Sequence, residues 1–140
     1  MKILNELPPI YDSLIQAGMN PDLRSTVFTY GDILYNPSGR LIPDYLIKHE
    51  EVHSKQQGDN PDVWWDRYLQ DPYFRIEQET EAYARQYDFI CSFEHDRNKR
   101  AKILWQLSAS LSGPMYGKVI VLFAAMKMIK NTSSQKLVVK

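Results

Sequence analysis

One pentapeptide in this chain has the residue types and the spacing of a metal-dependent catalyst. Residues 49–53 read His49-Glu50-Glu51-Val52-His53, the pattern H-E-x-x-H, inside a stretch that is predicted to be helical. Because an α-helix turns once in about 3.6 residues, the two histidines project from nearly the same side and can hold one zinc ion. Glu50 lies about 100° round the helix from His49, where its carboxylate can take a proton from an activated water molecule. Glu51 lies about 200° from His49 and faces solvent or a neighbouring segment.

A five-residue pattern also arises without any chemistry. The chain has three histidines, and two of them form this pair. The alternative interpretation is an ordinary surface helix that carries two histidines on one face. The motif therefore has to be weighed together with the sequence around it.

The overall composition indicates one folded domain. A chain of 140 residues, 44% of them hydrophobic and 12% aromatic, can bury a core of its own. We assign residues 1–130 to a single domain and residues 131–140 to a flexible C-terminal tail. Basic and acidic residues number 17 each, so the formal net charge is zero. This balance predicts neither a nucleic-acid partner nor a membrane partner.

Cysteine usage and the apolar segments predict a cytoplasmic protein. Cys91 is the one cysteine, so an intramolecular disulfide is ruled out and a reducing compartment is expected. The first six residues lack the apolar core of a secretory signal. The most apolar run, residues 119–126, is far shorter than the roughly 20 residues that span a bilayer. We expect a buried core helix there.

Turn signals and hydrophobic periodicity predict an α+β fold that is mostly helical. A short helix is expected at about 8–17, followed by two short strands within residues 25–35 around the turn at Gly31. The remaining predicted elements are helices at about 43–57, around 64–69, and at about 72–93, 96–111 and 117–130. The motif helix therefore follows a small antiparallel β-element and precedes a long helix.

The long helix supplies a third candidate ligand, Glu79. Six apolar or aromatic residues lie within about 80° of Glu79 on the helical wheel, so its carboxylate points into the core. They are Ile76, Ala82, Tyr83, Tyr87, Ile90 and Phe93. A buried carboxylate costs several kcal/mol unless a cation compensates it. A zinc ion held by His49 and His53 is one such cation, and Arg75, one turn earlier on the helix, is the alternative partner.

Two motifs together resemble a known family. The segment 49–53, followed by Glu79-Thr80-Glu81-Ala82-Tyr83-Ala84, resembles the gluzincin metallopeptidases over about residues 25–90. The resemblance implies a zincin-like fold, in which the edge strand of a small sheet lines up a peptide substrate beside the motif helix. It also implies Zn²⁺ as the cofactor and a peptide or protein as the substrate. The implied metal ligands are His49, His53 and Glu79, with Glu50 as the general base and acid.

The chain departs from many gluzincins at position 83. They carry Asp or Asn there, which holds a zinc-bound histidine, whereas this chain has Tyr83, whose hydroxyl could make the same hydrogen bond. Zincins also place a Tyr or His near the metal to stabilise the oxyanion. Tyr116, in the Gly/Pro turn at 112–117, is the candidate for that catalytic role, and simple packing is the alternative.

Several other polar and aromatic residues allow two interpretations. Trp64, Trp65 and Tyr68 either form a wall for a substrate side chain or pack between helices. Gln56 lies on the histidine side of its helix, where it either lines the cleft or belongs to a polar helix end, and we favour the second interpretation. His95 lies past the end of the long helix, and we expect it at the surface.

The main hypothesis is a zinc-dependent peptidase in which Glu50 activates a water molecule. One alternative is a zinc domain without catalytic activity, which keeps the metal for folding or for binding a partner. The other is a metal-free helical domain that interacts with other proteins through its surface.

Overall fold

Six α-helices and a three-stranded sheet make up residues 1–135, the part of the chain that the computed structural model describes. In chain order the elements are β1 (Lys2–Leu4), α1 (Tyr11–Gln16), β2 (Phe28–Tyr30), β3 (Ile33–Tyr35), α2 (Asp44–Gln57), α3 (Pro61–Gln70), α4 (Pro72–Cys91), α5 (Arg97–Leu111) and α6 (Leu122–Thr132), with a 3-10 turn over Pro114–Tyr116. The predicted α+β class with a majority of helix is confirmed. Among these helices, none combines the length and the apolar character that crossing a membrane requires.

The predicted hairpin is present, and a third strand joins it. Strands β2 and β3 pair antiparallel, and Gly31 between them adopts a φ of +64°, which glycine tolerates best. Strand β1 was not predicted, because its partner β3 is distant in the chain and no tight turn joins the two as Gly31 joins β2 and β3. It pairs parallel to β3, so the sheet order is β1-β3-β2 and the sheet is mixed, not purely antiparallel. Strand β2 is therefore an edge strand, and it lies against α2.

Helix α2 carries the pentapeptide and buries an unusual face. Pro43 precedes it in an extended conformation, and Gly58 ends it at a φ of +56°. The buried residues of α2 are His49, Glu50, His53 and Gln57. All four are polar, so the helix docks on α4 and β2 without a buried apolar side chain of its own. Its place in the fold depends on how those polar groups are satisfied.

Helix α4 begins where the sequence predicts. Pro72 occupies its first position, and the Asp71 carboxylate before it accepts hydrogen bonds from the backbone N–H groups of Tyr73 (3.0 Å) and Phe74 (3.1 Å). The helix ends at Cys91 instead of Phe93. This cap fixes the start of the helix and hence the direction in which Glu79 points, two turns further on.

Two hydrophobic clusters enclose the α2–α4 pair. The helical cluster is formed by Ile76, Tyr83, Tyr87, Cys91, Leu104, Leu107, Leu111, Tyr116, Ala125 and Ile129. The aromatic cluster is formed by Ile10, Leu14, Phe28, Tyr35, Trp64, Trp65 and Tyr68. Since the first joins α4 to the C-terminal helices and the second joins the sheet to α3, the polar face of α2 lies where the two clusters meet.

The C-terminal helix differs from its prediction. Helix α6 starts at Leu122, and the apolar run 119–126 is not buried as a whole, because Val121 and Phe123 are 71% and 77% exposed. Its buried residues are Ala125 and Ile129. The helix continues to Thr132, two residues into the predicted tail 131–140. Residues 136–140 of that tail lie outside the described residues.

The packing of the helical cluster leads to a stability prediction. Leu111 is 0% exposed, so Leu111→Ala should lower the free energy of unfolding by about 2–5 kcal/mol, the cost of lost burial plus a cavity. Urea denaturation followed by circular dichroism measures the change. Leu41→Ala is the matched control, since Leu41 is 96% exposed. Equal stability of the two variants would contradict the described core.

Candidate metal centre

The structure brings three of the predicted site residues to one point. The Oε1 atom of Glu79 lies 3.0 Å from His49 Nε2 and 3.1 Å from His53 Nε2. The two Nε2 atoms are 3.2 Å apart. All three side chains are buried, with 4–5% of each residue exposed. The predicted inward direction of Glu79 is confirmed, and so is the common side of the two histidines.

These distances fit a small divalent cation. Ligands placed tetrahedrally at about 2.0–2.1 Å from a metal lie about 3.3 Å from one another, close to the three separations observed. Ligand atoms of His49, Glu50 and His53 also lie within 4.8 Å of one another. Two imidazoles and one carboxylate suit zinc and several other transition metals, so the donor set could hold a metal without specifying zinc.

The far side of each imidazole is held by a glutamine. His53 Nδ1 lies 2.8 Å from Gln56 Oε1, and the amide nitrogen of Gln56 donates to the Gln78 carbonyl and to Glu81. These donations fix which end of the Gln56 amide faces the ring, so His53 Nδ1 must carry a hydrogen. His49 Nδ1 lies 3.0 Å from Gln86 Oε1, which assigns the same tautomer to His49. In the neutral imidazoles both Nε2 lone pairs therefore point at Glu79 Oε1.

Three electron-pair donors that converge without a hydrogen between them repel each other and need a cation. When no metal is bound, a proton can take that place. Burial alone would lower the pKa of His53, but the negative charge of Glu79 and its hydrogen bond outweigh burial and raise the pKa of His53 to about 9. Burial likewise opposes ionisation of Glu79, yet the charge of His53 and hydrogen bonds from the imidazoles lower the pKa of Glu79. The site therefore favours a positive charge at its centre.

Tyr68 holds the other oxygen of Glu79. Its hydroxyl donates to Glu79 Oε2 at 2.6 Å, which leaves Oε1 to face the histidines. Arg75, the alternative partner considered for Glu79, does not pair with it. The Arg75 guanidinium donates to the backbone carbonyls of Tyr68, Leu69 and Tyr116. The interpretation of Glu79 as half of a buried ion pair with Arg75 is therefore wrong.

Glu50 lies beside the three converging atoms and is held by the sheet. Its Oε1 accepts a hydrogen bond from Thr29 Oγ1 at 3.1 Å, and its Oε2 lies 3.7 Å from His49 Nε2. Burial raises the pKa of the Glu50 carboxyl, against the opposing charges of His53 and His49. A carboxylate with a raised pKa, next to a metal position, suits a group that accepts and returns a proton.

At Thr29 the outer side of the edge strand β2 is already hydrogen-bonded to side chains. The Thr29 backbone carbonyl accepts hydrogen bonds from the Gln57 side-chain amide (2.8 Å) and from the Trp65 indole (3.0 Å). The gluzincin resemblance implies an edge strand that pairs with a peptide substrate. Because this carbonyl already has two partners, a peptide cannot use it without displacing them.

Tyr83 and Tyr116 are close to the site, and Tyr83 does not make the hydrogen bond to a histidine that was considered for it. The Tyr83 ring packs edge-on against the His49 ring at 4.5 Å between centroids. Its hydroxyl lies 2.8 Å from the Tyr116 hydroxyl and is not the group paired with His49 Nδ1. Tyr116 is buried, and burial raises its pKa well above 10, so it is a neutral phenol. A direct contact between Tyr116 and the metal-binding atoms is not present in the described structure.

The converging residues form part of the wall of a cleft of about 560 Å³. The rest of the wall comes from residues 17–22 after α1, residues 25–29 leading into β2, and the turn 114–117. Trp64, Trp65 and Tyr68 belong to the aromatic cluster, which confirms that they pack between elements, and they also line the cleft. Their contact with a substrate side chain stays a prediction. The volume lies in the range of pockets that bind small molecules or short peptide segments.

No protein-family model, no curated protein and no solved structure matches this chain. The gluzincin resemblance therefore stays a prediction that depends on the pentapeptide 49–53 and on Glu79. The site's own geometry has to support any function.

The hydrogen bonds that Gln86, Tyr68 and Thr29 make to the site residues were not predicted, and only that of Gln86 had a signal in the sequence. Gln86 lies seven residues, or about two helical turns, after Glu79 and so on the same side of α4. Thr29 and Tyr68 lie on a strand and on another helix, and helical periodicity within α2 or α4 does not reach them. His95 is exposed as predicted.

The contact between Gln86 and His49 predicts a loss of metal affinity when it is removed. Gln86→Leu should weaken zinc binding about 10–100-fold, because the tautomer and the ring orientation of His49 are no longer fixed. Competition with a chromophoric zinc chelator measures the affinity. Gln106→Leu, on the exposed side of α5, is the control. Unchanged affinity in Gln86→Leu would remove Gln86 from the site.

The raised pKa of His53 predicts that zinc binding releases a proton. Below pH 9 the metal-free His53 is protonated, with a pKa of about 9, and a metal can bind only its neutral form. Zinc affinity should therefore rise as the pH rises, by about tenfold per unit between pH 7 and 8. Titration calorimetry in buffers of different ionisation enthalpy measures the protons released. A pH-independent affinity without proton release would contradict the assignment.

Proposed function

We propose that this protein is a zinc-dependent peptidase whose catalytic centre is formed by His49, His53, Glu79 and Glu50. The observation that carries the proposal is the convergence of two Nε2 atoms and one carboxylate oxygen within 3.0–3.2 Å. They lie on the wall of a cleft large enough for a peptide segment. His49, His53 and Glu79 are the proposed zinc ligands, and Glu50 is the proposed base.

Different residues of the chain have separate roles in the proposed hydrolysis. A bound zinc ion supplies a Lewis acid that activates water and polarises the scissile carbonyl. Glu50 Oε2 takes the proton from the attacking water and later delivers it to the leaving amine. Thr29 holds Oε1 of the same carboxylate, so that Oε2 remains directed towards the metal position. The raised pKa of Glu50 favours both halves of this transfer.

Tyr116 is the proposed helper for the oxyanion. It lines the cleft and shares a hydrogen bond with Tyr83 in which either hydroxyl can be the donor. If Tyr83 donates, the hydrogen of the Tyr116 hydroxyl is free for the developing negative charge on the substrate oxygen. The Arg75 guanidinium holds the Tyr116 carbonyl at 3.3 Å, which positions this turn.

The cleft favours catalysis over a purely structural metal site. Structural zinc sites are closed by four protein ligands, whereas catalytic sites have three and keep one position for water or substrate. Here three donors converge, and Glu50 is held back by Thr29, with its Oε2 3.7 Å from His49 Nε2. A cleft reaches the same residues. These features support the peptidase over the alternative of a zinc domain without activity.

Substitution of the base should separate metal binding from turnover. Glu50→Gln preserves the shape and the Thr29 contact but cannot accept a proton, so cleavage should fall by at least about 10²-fold while zinc content stays near one per chain. A peptide library read by mass spectrometry and metal analysis by plasma emission measure the two properties. Untagged protein avoids metal bound by an added histidine run.

Two further variants serve as comparisons for Glu50→Gln, one that should lose the metal and one that should behave as wild type. Glu79→Ala should lose zinc and activity together, because it removes a ligand, whereas Glu77→Gln, on the exposed side of α4, should change neither. Full turnover by Glu50→Gln would reject the assigned base. Zinc-loaded wild-type protein that cleaves no peptide would favour the non-catalytic zinc domain.

A further inference from the structure

Arg75 is a buried cation that positions the Tyr116 turn but whose positive charge has no role in the proposed chemistry. Only 8% of the residue is exposed, and it lines the same cleft as the metal-binding residues. Within residues 1–135 no carboxylate lies within 4.0 Å of its guanidinium. A buried charge without an opposite charge is costly, so an anionic group of a ligand would stabilise it.

The hydrogen bonds of Arg75 leave part of its guanidinium free. Nε donates to the Tyr68 carbonyl and Nη2 to the Leu69 carbonyl, both at 2.9 Å, and Nη1 donates to the Tyr116 carbonyl at 3.3 Å. These contacts use three of the five N–H groups of an arginine. One N–H on each Nη atom has no acceptor among the described residues. Two N–H groups on the two Nη atoms are the pair with which arginine can bind both oxygens of a carboxylate.

A glycine lies directly beside the guanidinium. Gly117 has a φ of +90°, and a Cβ atom built on it would lie 3.4 Å from Arg75 Nη1. Any other residue would place a side chain against this atom. Gly117 is also part of the cleft wall, so the absence of a side chain keeps the cleft open next to the guanidinium.

The charge balance of the cleft points to an anionic ligand group. With a divalent ion bound, its two positive charges are balanced by Glu50 and Glu79, while the two histidines are neutral. The charge of Arg75 then has no counterpart. Asp22, which also lines the cleft, forms an ion pair with Arg24 at 3.1 Å.

We propose that Arg75 forms a subsite that recognises a carboxylate of the substrate, an inference that rests on the proposed peptidase function. Tyr68 contacts Glu79 through its hydroxyl and Arg75 through its backbone carbonyl. The guanidinium and the metal position are thus separated by the length of one tyrosine residue, which a few residues of extended peptide span. The recognised carboxylate is therefore close to the scissile bond: a free C-terminus or an acidic side chain.

The test compares matched substrates within one variant, so that a general loss of activity cancels. An N-acetylated peptide that the protein cleaves is prepared as the free acid and as the C-terminal amide, and a second pair carries Glu or Gln near the cleavage site. Wild-type protein should prefer the carboxylate member of one pair in kcat/KM by about 10–100-fold, the range for a charged hydrogen bond. The pair that shows the preference identifies the source of the carboxylate.

Variants of Arg75 should remove that preference. Arg75→Met should bring the ratio close to one, and Arg75→Lys, which keeps the charge but loses the planar donor pair, should give an intermediate ratio. Arg67→Met is the control, because Arg67 is exposed on α3 and does not line the cleft. If Arg75→Met does not fold, the Lys variant and the wild-type ratios still decide. A wild-type ratio of one for every pair, or a ratio that Arg75→Met leaves unchanged, overturns the proposal.

A binding assay separates this proposal from the peptidase function. In zinc-loaded Glu50→Gln, the fluorescence of Trp64 and Trp65 in the cleft wall reports binding of an acetylated alanine-phenylalanine tetrapeptide as acid or amide. A preference for the acid that Arg75→Met abolishes supports the subsite even if the wild type cleaves nothing. A preference that persists in Arg75→Met assigns the carboxylate to the metal instead. Cleavage without any preference for a carboxylate would support the proposed peptidase function and reject the Arg75 subsite.

Discussion

The structure depends on how the buried polar face of one helix, α2, is satisfied. Every buried residue of α2 is polar, and three atoms with lone pairs, from His49, His53 and Glu79, meet at the centre of that face. Because α2 buries these polar groups and no apolar side chain fully, the polar groups must be satisfied by partners on α4 and β2. A metal or a proton at the centre converts mutual repulsion into attraction. If a metal binds here as proposed, its binding would stabilise the folded arrangement of α2 and α4.

A layer of hydrogen bonds connects the buried site residues to the surrounding helices and the sheet. Gln86 and Gln56 set the tautomers of the two histidines, Tyr68 orients Glu79, and Thr29 orients Glu50. The four groups come from α4, α2, α3 and β2, so four separate elements each contribute one contact. Such a layer fixes the geometry of the first ligands more narrowly than their own rotamers would.

Helix faces, which depend on short-range periodicity, could be predicted from the sequence. Contacts between segments that are distant in the chain could not. Spacing within α2 and α4 was enough to place His49 with His53 and to turn Glu79 inwards. The short strand Lys2–Leu4 and the contact between Thr29 and Glu50 arise from segments distant in the chain, and no local pattern encodes them. The apolar run 119–126 was misjudged because hydrophobicity alone does not tell a buried helix from one that exposes Phe123.

The arrangement of Arg75 and Glu79 shows how the fold keeps two opposite charges separate. They lie one turn apart on the same helix, a spacing that commonly gives an ion pair. Tyr68 prevents it: its hydroxyl holds Glu79, and its backbone carbonyl holds the Arg75 guanidinium. A direct pair would have cancelled both charges. Kept apart, the carboxylate is available to a cation and the guanidinium to an anion, so one cleft can hold both a metal and a charged group of the ligand.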